Sequence, residues 1–182
     1  MIKVSVKVIY FVHGTTTDNE AKIASGWKPG VLSEKGKSQA IALRDLIDRD
    51  SIDIVFCSDL QRAIDSTELV FENKKKVIID KRLRECNYGL LDGKPNSTVI
   101  YEDHIIESFP EGESMQDVEK RLREFCSYVL EEFDGKHIAI VAHKAPQLAI
   151  EVITKGLSWE EAIEKDWRKT KAWQPGWSYE IV

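Results

Sequence analysis

Hydrophobic and polar positions along the chain switch repeatedly between a strand-like and a helix-like period. Val4-Ser5-Val6-Lys7-Val8-Ile9-Tyr10-Phe11-Val12 is an apolar, β-branched run that turns abruptly polar at His13, the pattern of a buried strand ending in a loop. Gly26-Trp27-Lys28-Pro29-Gly30 reads as loop. A helix is expected from Ser33 as N-cap, with Ala40, Leu43, Leu46 and Ile47 on its apolar face and Asp50 at its end. Ile52–Cys57 reads as a second strand that stops at Ser58-Asp59, and Leu60–Val70 continues as helix with Arg62 in its first turn. Val77–Asp80 is a short third strand. Residues 81–112 are punctuated by Gly89, Gly93, Pro95, Pro110 and Gly112, with short helical turns expected around 97–107. A long irregular stretch in a compact domain is usually functional or mobile. Ser114-Met115-Gln116-Asp117 has the spacing of a capping box, with Asp in place of Glu. It opens a helix carrying Val118, Leu122, Phe125, Val129 and Phe133 on one face, closed by Asp134-Gly135. His137–Ala142 is the fourth clear strand, with His143 directly after it. The next helix has Pro146 in its first turn and carries Leu148, Ile150 and Val152; another short helix starts at Ser158, and the tail 173–182 fits an edge strand.

Strands alternating with helices imply a mostly parallel sheet covered on both faces. The fold class expected is therefore a three-layer α/β/α sandwich, one domain over residues 1–182. In such sheets ligands bind beyond the carboxyl ends of the strands. His13, Arg62 and His143 then occupy equivalent strand ends, and three independent loops bring two histidines and an arginine to one rim. Gly14 lets the backbone turn and approach a ligand. Thr15, Thr16, Thr17 and Asn19 offer hydroxyls, an amide and N–H groups to an anion.

Composition narrows the partners. The net charge is −5 with no basic block, which argues against nucleic acid, and no apolar run is long enough to cross a bilayer. Met1-Ile2-Lys3-Val4 lacks the profile of a signal peptide and reads as the start of a strand. Cys57, Cys86 and Cys126 are widely spaced and odd in number, as for buried thiols in a reducing cytoplasm rather than a disulfide framework. Cys86 alone adjoins a motif where a reactive thiol would matter. No metal-ligand spacing is present, so no metal is expected.

Several segments together resemble the histidine phosphatase superfamily, the phosphoglycerate-mutase-like enzymes. The family's Arg-His-Gly-x-Thr-x-x-Asn signature stands here as Val12-His13-Gly14-Thr15-Thr16-Thr17-Asp18-Asn19. Leu32–Ala40 resembles its first helix, and Ser58-Asp59-Leu60-Gln61-Arg62-Ala63 its second-strand motif. Leu83-Arg84-Glu85-Cys86-Asn87-Tyr88-Gly89 is similar to the segment carrying the family's acid. Phe109-Pro110-Glu111-Gly112-Glu113-Ser114 matches a Pro-x-Gly-Glu-Ser turn, and Val141-Ala142-His143 the second histidine. The motifs occur in family order over residues 8–150.

The resemblance implies a phosphoglycerate-mutase-like fold and a set of roles. His13 would be the nucleophile, Arg62 and His143 would bind the phosphoryl oxygens, Glu85 would donate the proton, and Gly14, Thr16 and Asn19 would line the phosphate pocket. It implies a phosphomonoesterase working through phosphohistidine on a small phosphorylated substrate, without cofactor or metal, as a cytoplasmic monomer or homodimer. Mutase-type phosphoryl transfer is the nearest rival; the compactness of the chain favours hydrolysis. A weakly active or non-catalytic phosphate-binding module is the third reading. It draws on one departure: Val12 stands where the family has an arginine. Lys144, after the second histidine, and the tail cations Arg168, Lys169 and Lys171 are candidate substitutes, unless the first strand is instead one residue short and its register shifted. The tail also holds Trp159, Trp167, Trp173 and Trp177. A helix and strand packed on the sheet is the favoured reading of these, and an aromatic wall beside the pocket is the other.

Overall fold

The computed structural model describes residues 4–182, so the start of the first strand expected at Met1-Ile2-Lys3 lies outside the described residues. Four parallel strands form the centre of a sheet: β1 (Val6–Val12), β3 (Ile54–Cys57), β4 (Val77–Ile79) and β6 (His137–Ala142). The tail adds β7 (Trp177–Ile181), antiparallel to β1, at one edge. The strand order is β4-β3-β6-β1-β7, and a separate two-stranded ribbon pairs β2 (Ile23–Ala24) with β5 (Lys94–Pro95).

The period-2 alternation of β1 sends its side chains to two cores. Val6, Val8 and Tyr10 pack beneath α4 (Met115–Glu132) and α5 (Lys144–Lys155). Phe11, with Ile9, packs beneath α2 (Glu34–Leu46) and α3 (Gln61–Phe71) on the other face. The α4 face is buried as its spacing requires: Val118, Leu122, Phe125 and Val129 are fully enclosed. Ser114 and Asp117 complete the capping box, since an Asp carboxylate at the third helical position reaches back to the Ser114 N–H at 2.8 Å. The short elements α1 (Thr17–Glu20), α6 (Trp159–Glu164) and α7 (Trp167–Thr170) fill the loops. Among the described residues no helix is long and apolar enough to cross a membrane.

Helix α2 departs from the expected pattern. It ends at Leu46, and Ile47 is already extended. The Asp48 carboxylate accepts the N–H groups of Asp50 and Ser51 and closes a 3₁₀ turn instead. Local capping by an aspartate competes with helix continuation, and Leu46 is left 59% exposed rather than on the core face.

Candidate active site

The strand ends converge as expected. The β1–β6 register runs unbroken to Val12↔Ala142, and the His13 N–H extends it by donating to the Ala142 carbonyl at 3.1 Å. Ser58 extends β3 in the same way by donating to the Val141 carbonyl at 3.1 Å. His13 and His143 therefore stand level on the carboxyl rim, with Ser58 one residue below them beside Ala142. The two imidazole rings lie 5.1 Å apart, and Arg62, in the first turn of α3, brings its Nε to 3.3 Å from His13 Nε2. His13, Arg62 and Glu85 line one cavity of about 680 Å³. Within this register Val12 is the last paired residue of β1, and it packs in part against the core beneath α4 and α5. Val12 itself lines the cavity, so Val12→Arg is expected to fold, with a melting temperature within a few degrees of the parent. Arginine forced into the core would cost several kcal/mol, a loss that thermal melting would show.

The hydrogen bonds set the tautomer of His13. His13 Nδ1 is 2.7 Å from the Gly14 carbonyl, which only accepts, so Nδ1 carries the proton and Nε2 presents its lone pair to the cavity. Burial and the neighbouring Arg62 guanidinium lower the pKa of His13 to about 3. His143 is fully enclosed, and its Nε2 lies 2.8 Å from the Ser58 hydroxyl while its Nδ1 has no partner. Burial, with the charge of Arg62 behind it, holds His143 well below the usual imidazole range. Both rings are thus neutral at pH 7. In the unfolded chain each takes up a proton near pH 6.5, so below that pH the unfolded state binds more protons than the folded one. Stability present above pH 6.5 is lost as the pH falls toward 3, with a slope of at most about 1.4 kcal/mol per pH unit for each ring. Denaturant melts of the parent and of His13→Asn between pH 7 and 4 check this: the variant shows the shallower acid loss.

The loop after β1 is more committed than its composition implies. Gly14 and Gly36 pack backbone to backbone: a Cβ on Gly14 would meet the Gly36 carbonyl oxygen at 2.4 Å. The Gly14 N–H donates to Ser66 Oγ, and the Thr15 N–H and hydroxyl both donate to Gln39 Oε1. Thr16 is fully buried as the N-cap of α1, and it and Asn19 satisfy each other's N–H groups. Gly14 and Asn19 still line the cavity, but the Thr16 side chain is spent in the cap, which corrects its expected place in the pocket wall. Ser66 and Gln39 are site residues that no motif singled out; each lies on a helix face whose apolar period masks it.

Glu85 lies on the irregular stretch after β4 and is 8% exposed. Its Oε1 accepts the N–H groups of Cys86 and Ala145, both at 2.9 Å, and its Oε2 accepts only Lys144 N–H, at 3.2 Å. Oε2 is therefore the oxygen with capacity to carry a proton. The stretch is braced from α4. Arg121 forms a two-point contact with Glu113 and donates to the carbonyls of Arg82, Arg84 and Glu85. Trp27 Nε1 adds a bond to the Glu85 carbonyl at 2.7 Å. Arg121 was not legible as a site residue; the signal was a single charge inside the apolar face of a strongly periodic helix.

The tail folds back over the rim. Lys144 lies over the Tyr101 ring at 4.4 Å, and its Nζ is 3.3 Å from Oδ2 of the buried Asp166. Arg168 donates to the other oxygen of Asp166 at 2.8 Å. Lys144 and Arg168 both line the cavity. Lys169 instead pairs with Glu102 at the surface, and Lys171 is exposed. Trp167 and Trp177 stack at 5.1 Å and form an aromatic wall with Trp173, whereas Trp159 is buried in the core. Both readings of the tryptophans thus hold, for different residues.

All three cysteines are buried and unpaired. Burial pushes Cys57 and Cys126 up to about 12, and Cys86 higher still, with the Glu85 charge adding to it. A thiol held protonated is a poor nucleophile. Cys86→Ser is expected to keep turnover within about twofold in a phosphatase assay; its loss in a folded variant would point to cysteine chemistry. Among the described residues no three His, Cys, Asp or Glu side chains are grouped to hold a metal ion.

The chain is similar to several known proteins. A 2,3-bisphosphoglycerate-dependent phosphoglycerate mutase of Streptococcus pyogenes is 40% identical over 95 residues, 49% of this chain and 41% of the mutase, so the chain matches less than half the length of that relative. The crystal structure of the alpha-ribazole phosphatase from Shigella flexneri superposes with a TM-score of 0.75 at 27% identity, covering 87% of this chain and 84% of that one. Bacillus stearothermophilus YhfR shares the fold at 24% identity, with a TM-score of 0.77 over 86% of this chain and 83% of its own. The sequence profile of the histidine phosphatase superfamily, branch 1, matches residues 9–170, and the chain belongs to that family.

Proposed function

We propose that the protein is a phosphomonoesterase that works through a phosphohistidine on a small phosphorylated metabolite. The observation that carries this reading is the His13 tautomer: a proton fixed on Nδ1 by the Gly14 carbonyl and an unprotonated Nε2 on the cavity side, where its lone pair accepts a long 3.3 Å bond from Arg62 Nε that an incoming phosphoryl group would replace. In the first step Nε2 attacks phosphorus, the P–N bond forms and the ester P–O bond breaks. Glu85 Oε2 gives its proton to the departing oxygen. In the second step water attacks phosphorus, Glu85 takes the proton back, the P–N bond breaks and inorganic phosphate leaves. Arg62 and the unpartnered Nδ1 of His143 meet the equatorial oxygens, whose charge such transfer chiefly requires to be clamped. The cavity has room for a leaving group beyond the phosphate, and the aromatic wall offers it an apolar face.

The mutase relative gives a second reading, transfer back to the substrate in place of hydrolysis. Incubation with 3-phosphoglycerate, with and without 2,3-bisphosphoglycerate, separates the two. Net release of inorganic phosphate with no 2-phosphoglycerate is the result expected. Rapid quench with a phosphorus-labelled aryl ester should trap an acid-labile, alkali-stable protein phosphate on His13. A protein that binds phosphate yet never becomes labelled would reduce the site to a binding module.

A further inference from the structure

Among the described residues, Arg168 is the one charged side chain lining the cavity that keeps a buried donor without a partner. Its Nη1 is held at 2.8 Å by Asp166 Oδ1, and its guanidinium lies over the Trp167 ring at 4.4 Å. Its Nη2 is closed off from solvent and makes no hydrogen bond. A buried, unpaired guanidinium N–H is costly unless a ligand completes it. The position is fixed from several sides. Asp166 is 2% exposed and caps α7, accepting the Arg168 N–H as well. Trp167, next in the chain, donates to Gln147 of α5 at 3.2 Å and stacks on Trp177 of β7. The charge also reaches the nucleophile, for Arg168 is among the groups that lower the pKa of His13.

Lys144 is the less suited of the two cations. Its ammonium is taken up by Asp166 and the Tyr101 ring, and a point charge lacks the fork that matches two phosphoryl oxygens. Val12, at the end of β1, leaves its part of the cavity wall without a charge.

We propose that Arg168 is a catalytic residue, donating through Nη2 to the phosphoryl group as it passes to and from His13. The assignment rests on the phosphatase reading of the site, and its test separates the two. Binding of inorganic phosphate and of orthovanadate is measured by calorimetry on the parent, Arg168→Gln and Arg168→Lys, alongside turnover of 4-nitrophenyl phosphate. None of these probes carries a second anionic group, so the readout concerns the phosphoryl site alone. Arg168→Gln is expected to weaken phosphate and vanadate binding by about tenfold or more, the range for a lost charge-assisted bond. It is expected to lower kcat by a larger factor, because the bond strengthens as charge develops. Should the glutamine variant fail to fold, Arg168→Lys carries the test: its single ammonium pairs with Asp166 and leaves the ligand, so affinity falls several-fold while the melting temperature holds. Affinity equal to the parent's in either folded variant, or a parent that does not bind phosphate, overturns the assignment. A parent that binds phosphate through Arg168 but hydrolyses no ester overturns the phosphatase reading and with it the catalytic role, leaving Arg168 a phosphate ligand only.

Discussion

Replacing His13 with alanine is expected to abolish turnover of an aryl phosphate, by on the order of 10⁴- to 10⁶-fold, as when a covalent nucleophile is removed. The fold should survive the change. The imidazole bonds only to the adjacent Gly14 carbonyl and to Arg62 Nε, and the strand register is carried by the His13 backbone. Phosphate binding should weaken far less than turnover, since Arg62 remains and loses an imidazole competitor for its Nε. The expected signature is therefore a folded protein that binds phosphate and does not hydrolyse. An alanine variant that retains a tenth of the parent activity would sink the proposal that His13 is the nucleophile. Cys86 cannot take over, with its thiol held protonated by burial and by Glu85.

The rim was legible in the sequence because each functional residue there follows a β-branched run that turns polar within one residue. Val12-His13, Cys57-Ser58 and Ala142-His143 mark the ends of three parallel strands, and parallel pairing places such ends side by side. Arg62 was legible for the same reason, one helical turn beyond Ser58. What stayed hidden is how polar groups choose among neighbours. Thr16, read as a pocket residue, turns to Asn19, three residues on, and closes the cap of α1 with it. Glu113 and Arg121, which fix the irregular stretch bearing Glu85, are eight residues apart and meet through two bonds that no periodicity encodes. The Asp166–Arg168 pair caps and opens a four-residue helix too short to show a pattern, and the return of β7 to the edge of the sheet accompanies its place in the wall of the cavity that His13 also lines. Leu46 failed for a comparable local reason, the Asp48 cap that ends α2 early.

Arg62 couples the chemistry to the fold, and substitution there is expected to damage both in separable amounts. The residue is 2% exposed and spends every arm of its guanidinium. Nη1 donates to the Lys28 carbonyl at 3.0 Å, Nη2 to the Gly26 carbonyl at 2.8 Å, and Nε faces His13 Nε2. Two of the three bonds therefore hold the 26–30 loop against α3, and one serves the nucleophile. Arg62→Ala removes all three and leaves two carbonyl groups short of a donor, each worth about 1–3 kcal/mol when buried. The expected loss is about 2–4 kcal/mol of stability, together with a fall in kcat/KM of about 10²–10³-fold. Arg62→Lys keeps the charge but not the fork. A single ammonium can serve the loop carbonyls or the phosphoryl group, not both. If the loop wins, stability recovers and turnover does not; if the phosphoryl group wins, the reverse holds. Denaturant melts with and without saturating phosphate resolve the choice, since a ligand that competes for the ammonium gives a smaller stabilisation than in the parent. Parent-like turnover in either variant would remove Arg62 from the chemistry and leave it a brace for the loop. The loop outcome is the one the geometry favours, because its carbonyls are fixed in place before any ligand arrives.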